Sequence, residues 1–472
     1  MKISTIKSVH ILLVSIVLTL FLNFNAVFAS NGNHCLKEDL DITNNLCEQS
    51  ARHLALENNL SFVDKIFLKD ELEKPSNPIM EHVIPVRMGE EIEITSKETI
   101  LYTKMKHGTN HYNAIVVGAG PAGCSAAHYL KESGKSVLML DKMDFPRHKP
   151  CAGGITKKTL KHLPIDISHL VKHTAKKMKF SFNDKKSVKL NHDLGSCVMV
   201  IRDDFDNYYF KETVKIGVNF EKINKINKIV CHDDNVILTV DDKTISCEYL
   251  IGADGANSLV RKLATKFKYK NPVYAYEGKV KKNITKEDIT EFIFNKSGYE
   301  WIFPKDDHLN IGIGNLIDNV KTKSDTKTEL YKFAEERFGK NELQDVTAYP
   351  IGTEGFDYTM NDRIMLVGDA AGLAEKLLGE GIYNAVVSGK FAARAIIEGG
   401  ESLGDTIKSY NTFLSKLTSE LNLYNKGSAI LYNYPTLSYI AMKLWLGKKF
   451  MNGYSEGKTL SEIFKRKQNY IS

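Results

Sequence analysis

Four glycine-rich segments carry the chemistry that this chain can do: Gly118-Ala119-Gly120-Pro121-Ala122-Gly123, Gly252-Ala253-Asp254-Gly255, Gly368-Asp369-Ala370-Ala371-Gly372 and Gly379-Glu380-Gly381-Ile382. The first has dinucleotide-binding spacing. Gly118 permits a tight turn, Gly120 lets backbone approach a pyrophosphate, and Gly123 lets a helix pack closely on the preceding strand. Pro121 and Ala122 lie in this turn, and the N-terminus of the helix that follows supplies N–H groups and a positive dipole end that favour an anion. Asp141 lies about 20 residues on, where a carboxylate accepts hydrogen bonds from ribose hydroxyls and repels a 2′-phosphate. Lys142 completes this half of the predicted site.

The elements that must position these groups are legible. Ala114-Ile115-Val116-Val117 is a buried, β-branched strand. A helix is expected over 125–130, ended by Gly134, then a strand Val137–Leu140 running into Asp141. Strands also lead into Gly252 and Gly368, so Asp254 and Asp369 sit at carboxyl ends of strands, where ligands gather in open α/β sheets. Asp369 could hold ribityl or phosphate-side hydroxyls. A solvated turn acid is the alternative for either aspartate alone. Taken in order, the segments predict one flavin site, bound as FAD, assembled from distant parts of the chain. Gly379 and Gly381 precede a helix expected from Ile382 to Ile397.

Within this frame the chain resembles the geranylgeranyl reductases, of the glutathione-reductase-type, hydroxylase-like FAD proteins. The resemblance covers roughly 113–425. It rests on Pro146-Arg147-His148-Lys149-Pro150-Cys151-Ala152-Gly153-Gly154, on Tyr299-Glu300-Trp301-Ile302-Phe303-Pro304, and on the segments at Gly368 and Gly379. Flavin halogenases tend to carry Trp at the first position of the second motif and Ile at the fifth, unlike Tyr299 and Phe303. The resemblance implies that Arg202 contacts FAD and that the helix starting at Ile382 faces the reduced flavin. Reduction of isoprenoid double bonds in a geranylgeranyl-bearing lipid is the implied activity.

Such a reaction needs a greasy chain against the flavin, exclusion of water and a proton. Cys151, set between Pro150 and two glycines, could donate that proton or simply fill space. Tyr299, Trp301 and Phe303 alternate and share one strand face, suited to an isoprenoid wall or an ordinary sheet core. Cys151, Tyr299 and Trp301 are the expected catalytic residues. Cys151, Ala152 and Gly153 are expected against the cofactor. There is one βαβ fingerprint, so the electron donor is NAD(P)H bound transiently or a ferredoxin-like protein. The seven cysteines have neither iron–sulfur nor zinc spacing, and no metal is expected. A net charge of +7 is spread along the chain. It suits an anionic membrane surface, and no nucleic-acid motif accompanies it. Oligomeric state is not legible.

The expected fold is α/β: a Rossmann-like FAD-binding domain of glutathione-reductase type (113–178, 200–265 and 355–400). An inserted antiparallel substrate sheet (179–199 and 268–352) and a helical C-terminal region (401–472) complete it. Residues 1–29 read as a secretory signal peptide or an uncleaved anchor, and 30–112 as an extension weakly helical over 43–59. Membrane association or entry to the secretory route follows, with a two-part plastid leader as the alternative. Cys35 and Cys47 could pair in an oxidising lumen. The Lys/Asn-rich run 222–228 reads as solvated surface. The C-terminal part, 422–464, reads as packing on its own domain, as a tunnel wall, or as a membrane-surface segment. Two other functions share these motifs: a flavin monooxygenase or halogenase, and a non-catalytic membrane-tethered flavoprotein.

Overall fold

The computed structural model describes residues 110–182, 186–268, 273–282, 288–295, 298–315 and 323–464. The expectations for 1–29 and 30–109, including the pairing of Cys35 with Cys47, lie outside the described residues.

The first sheet runs Asn219–Lys222, Val137–Asp141, His111–Val117, Lys243–Gly252, Val236–Val240, Ile226–Cys231, with Ile364–Leu366 also paired to Lys243–Gly252. Its register matters for function. Val117 lies opposite both Leu140 and Gly252, and Gly252 lies opposite Leu366. Parallel strands thus end level with one another, and the three glycine turns that follow them open on a single sheet edge. Ile115, Val116, Met139, Leu250, Ile251 and Met365 are fully buried in these strands, as expected of a parallel sheet covered on both faces.

The first helix spans Pro121–Glu132, four residues earlier than expected, because Pro121 is compatible with the first helical turn. Helix Ile382–Gly399 packs across it. A Cβ at Gly389 would lie 2.2 Å from the Ala122 carbonyl oxygen, so only glycine allows this crossing.

The second sheet runs Gln344–Ile351, Val273–Lys281, His308–Asn315, Gly298–Pro304, Thr290–Asn295, Lys177–Phe182, Lys186–Asn191. All pairs are antiparallel except Thr290–Asn295 with Lys177–Phe182, which is parallel. Its two faces differ. Ile293, Ile302, Ile311 and Ile313 form an aliphatic face under Leu330, Phe333 and Ala334 of helix Lys323–Phe338. The opposite face is aromatic. Register aligns Phe180, Phe292, Trp301, Gly312 and Glu277 in one row across five strands, and side chains in register share a face. Strand Cys197–Met199, grouped with this sheet in the sequence reading, pairs instead with Gly154–Thr156 and His173–Thr174 in a small third sheet.

The C-terminal helices Leu403–Asn433, Pro435–Ala441 and Gly447–Ser455 cover the aromatic face. Phe450 meets Phe180 edge-on at 6.4 Å, Tyr432 meets Phe294 at 6.1 Å and Tyr439 meets Phe182 at 6.1 Å. Among the described residues no helix is long and apolar enough to cross a membrane.

Candidate functional site

A single cavity of about 550 Å³ runs from the glycine turns to the aromatic face. Gly118, Gly120, Pro121, Ala122, Asp141, Lys142, Cys151, Ala152, Gly153, Arg202, Asp254, Tyr299, Trp301, Phe303, Asp369, Gly379, Gly381 and Ile382 all line it. Gly123 and Gly368 stand behind the lining. A Cβ at Gly123 would lie 1.8 Å from the Gly118 oxygen, and one at Gly368 would press on Ala122 and Ala385 at 3.2–3.3 Å. Their part is to let backbones meet.

At the nucleotide end, Asp141 orders the turn. Its Oδ2 accepts from Ala119 N at 2.7 Å and its Oδ1 from Met143 N at 2.9 Å. Gly120 is open to the cavity, the nearest atom to a Cβ there being Arg147 Nη2 at 3.2 Å. Asp254 has two tasks: Oδ2 caps helix Leu259–Ala264 through Leu259 N and Val260 N, while Oδ1 is buried with no hydrogen-bond partner. Burial raises its pKa. The sequence reading of the Asp254 turn did not foresee the cap.

Arg202 is not a surface residue. It is 7% exposed and forms a bidentate pair with Asp206, both contacts at 2.9 Å. Arg147 joins the same carboxylate at 3.2 Å, and its Nε is buried without a partner. Lys149 lies 3.1 Å above the Tyr349 ring. Burial, then the neighbouring Arg202, lower its pKa to about 8. Asp369 faces this group, its own pKa raised by burial against the pull of Lys149. Arg147 and Lys149 stood inside the Pro146–Gly154 segment, but their sequence position did not show their direction.

The middle of the cavity is the Cys151 segment. Gly153 N–H donates to Cys151 Sγ at 3.4 Å, and Cys151 N–H donates to Glu277 Oε1 at 2.8 Å. Lys305, also buried, donates to the carbonyls of Ala152 and Val200 at 2.7 and 2.9 Å, its pKa lowered to about 8 by burial. Glu277 is 7% exposed, its pKa raised by burial, with Asn310 beside it. Asn310 Oδ1 in turn accepts from Trp301 Nε1 at 2.7 Å. This chain ties the cysteine segment to the aromatic wall. Only sheet register brings Glu277 there, and nothing in its local sequence signals it.

At the far end, Phe292, Tyr299, Trp301, Phe303, Met178, Phe450 and Tyr454 form an apolar arm. Tyr299 donates its hydroxyl to the Leu378 carbonyl. A Cβ at Gly379 would come within 2.8 Å of that hydroxyl. Trp301 lies flat over Gly312, where a Cβ would meet its ring at 2.1 Å. The 222–228 run is not wholly solvated: Ile223 and Ile226 are buried, and 223–226 border the cavity.

The residues fit FAD. Glycine turns leave backbone open at one end, the buried Arg147 Nε waits for an acceptor, and an aromatic arm adjoins the middle. Among the described residues no metal-binding cluster occurs.

Comparison with known proteins agrees with this arrangement. The family model described as "FAD binding domain" matches residues 111–397. A geranylgeranyl diphosphate reductase of Rhodobacter capsulatus is 30% identical over 303 residues, 60% of this chain and 74% of that enzyme. A digeranylgeranylglycerophospholipid reductase of Methanosarcina acetivorans is 29% identical over 328 residues, covering 65% of this chain and 78% of that protein. The solved structure of a geranylgeranyl bacteriochlorophyll reductase-like protein of Thermoplasma acidophilum shares the fold, with TM-score 0.60 and 22% identity over 75% of this chain and 94% of that one. A flavin-dependent brominase shares it at TM-score 0.60 and 17% identity, over 75% of this chain and 97% of that one. The likeness to the brominase is one of fold alone. Motifs, cavity and relatives together place this chain in the geranylgeranyl reductase family of FAD-dependent oxidoreductases.

Proposed function

We propose that this enzyme hydrogenates the isoprenoid double bonds of a geranylgeranyl-bearing lipid, with the prenyl chain lying in the aromatic arm. The observation that carries this reading is the continuity of one cavity from the glycine turns, past Cys151, to a wall of Phe292, Tyr299, Trp301 and Phe303. Reduced FAD supplies the hydride. The chain's own residues do the rest. The aromatic wall binds the prenyl chain by apolar burial at roughly 25 cal/mol per Å², and the C-terminal helices exclude water from it. Lys305 and Glu277 hold the Cys151 segment in place through its backbone, at Ala152 O and Cys151 N. The Gly153 N–H aimed at Cys151 Sγ fixes the thiol in the middle of the cavity.

The electron donor in this reading is a nicotinamide cofactor or a ferredoxin-like protein, engaged transiently. The lipid arrives from a membrane surface. Exposed Tyr434 and Leu444, at 59% and 68%, stand near Lys443 and Lys448 in sequence, a pairing suited to an anionic bilayer.

The test loads the full-length protein with FAD, reduces it chemically without oxygen and adds a geranylgeranyl glycerolipid or geranylgeranyl diphosphate. Stepwise gain of hydrogen pairs, read by mass spectrometry, is the expected result. An unchanged lipid beside a competent, reducible flavin rejects the proposal. Peroxide formation triggered by substrate would point to oxygen chemistry instead.

A further inference from the structure

Beyond Cys151, the apolar arm ends on a buried polar network that the reaction described so far does not use. Lys158 is 3% exposed. Its Nζ lies 2.7 Å from Glu380 Oε2 and donates to Tyr424 Oη at 2.9 Å. Thr156 Oγ1 donates to Glu380 Oε1 at 2.6 Å. Tyr424 Oη lies 3.2 Å from Tyr454 Oη. The ammonium also sits 4.2, 5.0 and 5.7 Å from the ring centres of Tyr383, Tyr424 and Tyr454. Burial works against the Lys158 charge, but Glu380 offsets this and holds its pKa above the usual value. Three of these residues, Thr156, Glu380 and Tyr454, border the cavity. A buried ion pair is weak evidence for stability, since apolar side chains of equal volume often serve as well.

Donor logic orients the chain. An ammonium only donates, so Tyr424 Oη accepts from Lys158. Tyr424 is buried and Tyr454 Oη is the one acceptor its hydroxyl hydrogen meets among the described residues, so Tyr424 is assigned as the donor in this pair. That leaves the hydrogen of Tyr454, which borders the cavity, with no other acceptor among the described residues. The order of transfer is therefore Lys158, Tyr424, Tyr454, cavity.

We propose that Tyr454 is a proton donor to the prenyl alkene, refilled through Tyr424 from Lys158, with Glu380 and Thr156 as positioning residues. This rests on the reading of the enzyme as a prenyl-lipid reductase. Bound reduced FAD would supply two electrons and one hydrogen as hydride to one alkene carbon. The Tyr454 O–H bond breaks as the other carbon gains its proton. The Tyr424 proton moves to Tyr454 and a Lys158 proton to Tyr424, and solvent returns one proton to the resulting amine. The flavin ends oxidised and the alkene saturated.

The experiment compares wild type with Tyr454→Phe and Tyr424→Phe, all FAD-loaded and reduced without oxygen. Tyr454→Phe keeps the ring stacked on Phe450 at 4.2 Å, and FAD content with thermal melting checks that each variant is folded. Mixed with geranylgeranyl glycerolipid, Tyr454→Phe is expected to reoxidise about 10²-fold or more slowly, the scale of a lost general acid, and Tyr424→Phe to be slowed less. The wild-type solvent deuterium isotope effect is expected to shrink in Tyr454→Phe as a slower proton source takes over. Reoxidation of Tyr454→Phe within about threefold of wild type, far below the general-acid scale, overturns the proposal. If wild type leaves the lipid unreduced, the reductase reading fails, and a substrate-free arm decides the network. Infrared difference spectra of oxidised against reduced protein, with ring-labelled tyrosine, are expected to show a tyrosine hydroxyl response that Tyr454→Phe removes. No such response overturns the proton chain.

Discussion

The two ends of the cavity are built on different principles. The nucleotide end is made of backbone. Its walls are glycine turns that follow strands ending level on one sheet edge, and a few charged groups finish it. The aromatic end is made of side chains. Phe292, Trp301 and Phe303 come from the second sheet, Phe450 and Tyr454 from the last helices, and Lys158 and Glu380 from two further segments. A ligand with a constant pyrophosphate is served by geometry that only glycine permits. A flexible hydrocarbon, as proposed for the aromatic end, would be served by shape and apolar area, which many residue combinations can supply.

The largest test of this contrast is at the nucleotide end. Gly123→Val puts a side chain where a Cβ already lies 1.8 Å from the Gly118 oxygen. Backbone must move, a cost above about 4 kcal/mol, and the expected outcome is colourless, poorly soluble protein. Gly120→Val separates folding from binding. Its Cβ meets only the end of Arg147 at 3.2 Å, so melting stays close to wild type. FAD affinity, measured by fluorescence titration, falls about 100-fold or more as a few kcal/mol of overpacking enters the complex. Full yellow colour in Gly120→Val would break the contrast.

Next in size is Cys151→Ser, at the join between the two ends. The serine keeps the segment's backbone bonds to Glu277 and leaves FAD binding intact. Lipid-dependent reoxidation is expected to slow about 10- to 100-fold if sulfur carries a proton; unaltered turnover returns Cys151 to packing. The two strand-end aspartates should then part company. Asp254→Ala loses two hydrogen bonds to the first turn of helix Leu259–Ala264 and about 1–2 kcal/mol of stability, read as a lower melting temperature. Asp369→Ala is expected to cost mainly FAD affinity, about tenfold for one lost bond to ligand. Equal behaviour of the pair would mean that the cap is not the main work of Asp254.

The smallest effect is a pH dependence. Lys149 has its pKa lowered to about 8, and a bound anionic cofactor favours its protonated form. The complex therefore holds more protons than the free protein, so FAD affinity falls as pH rises above about 8, by at most about tenfold per pH unit. Below that pH the dependence flattens. Lys149→Met should remove the slope in the same titration. In folding the sign differs: a lowered lysine pKa favours the folded state above the unfolded value, and that contribution is lost as pH falls through about 8. Glu375 shows the reverse case. Burial raises its pKa to about 7, so its stabilising contribution, full below about 4.5, is lost as pH rises through 7.

Much of the nucleotide end was readable in order. The strand ending at Val117, the turn, and Asp141 stand within a short stretch, and each residue type has one physical reason to be there. The alternation of Tyr299, Trp301 and Phe303 also predicted a shared face. It did not predict what faces them, because that depends on which helices cover the sheet. Arg202 was placed at the cofactor by resemblance, whereas its partner Asp206 and the neighbour Arg147 became visible only when helix Arg202–Lys215 met the Pro146–Gly154 segment.

By itself the sequence determined local grammar: turns that need glycine, strands that end in acids, and a strand whose aromatic residues alternate. These depend on spacing over a few residues, where backbone sterics and side-chain direction are strict. Tertiary structure decided the rest. Sheet register put Glu277 in line with Trp301 across Gly312. Helix packing carried Tyr424 and Tyr454 to Lys158, more than 250 residues away in sequence. Contacts at such separation leave no periodic trace in the chain, because the residues that meet need only complementary charge, size and hydrogen bonding. Those properties are common to many positions, and only the fold selects which of them touch.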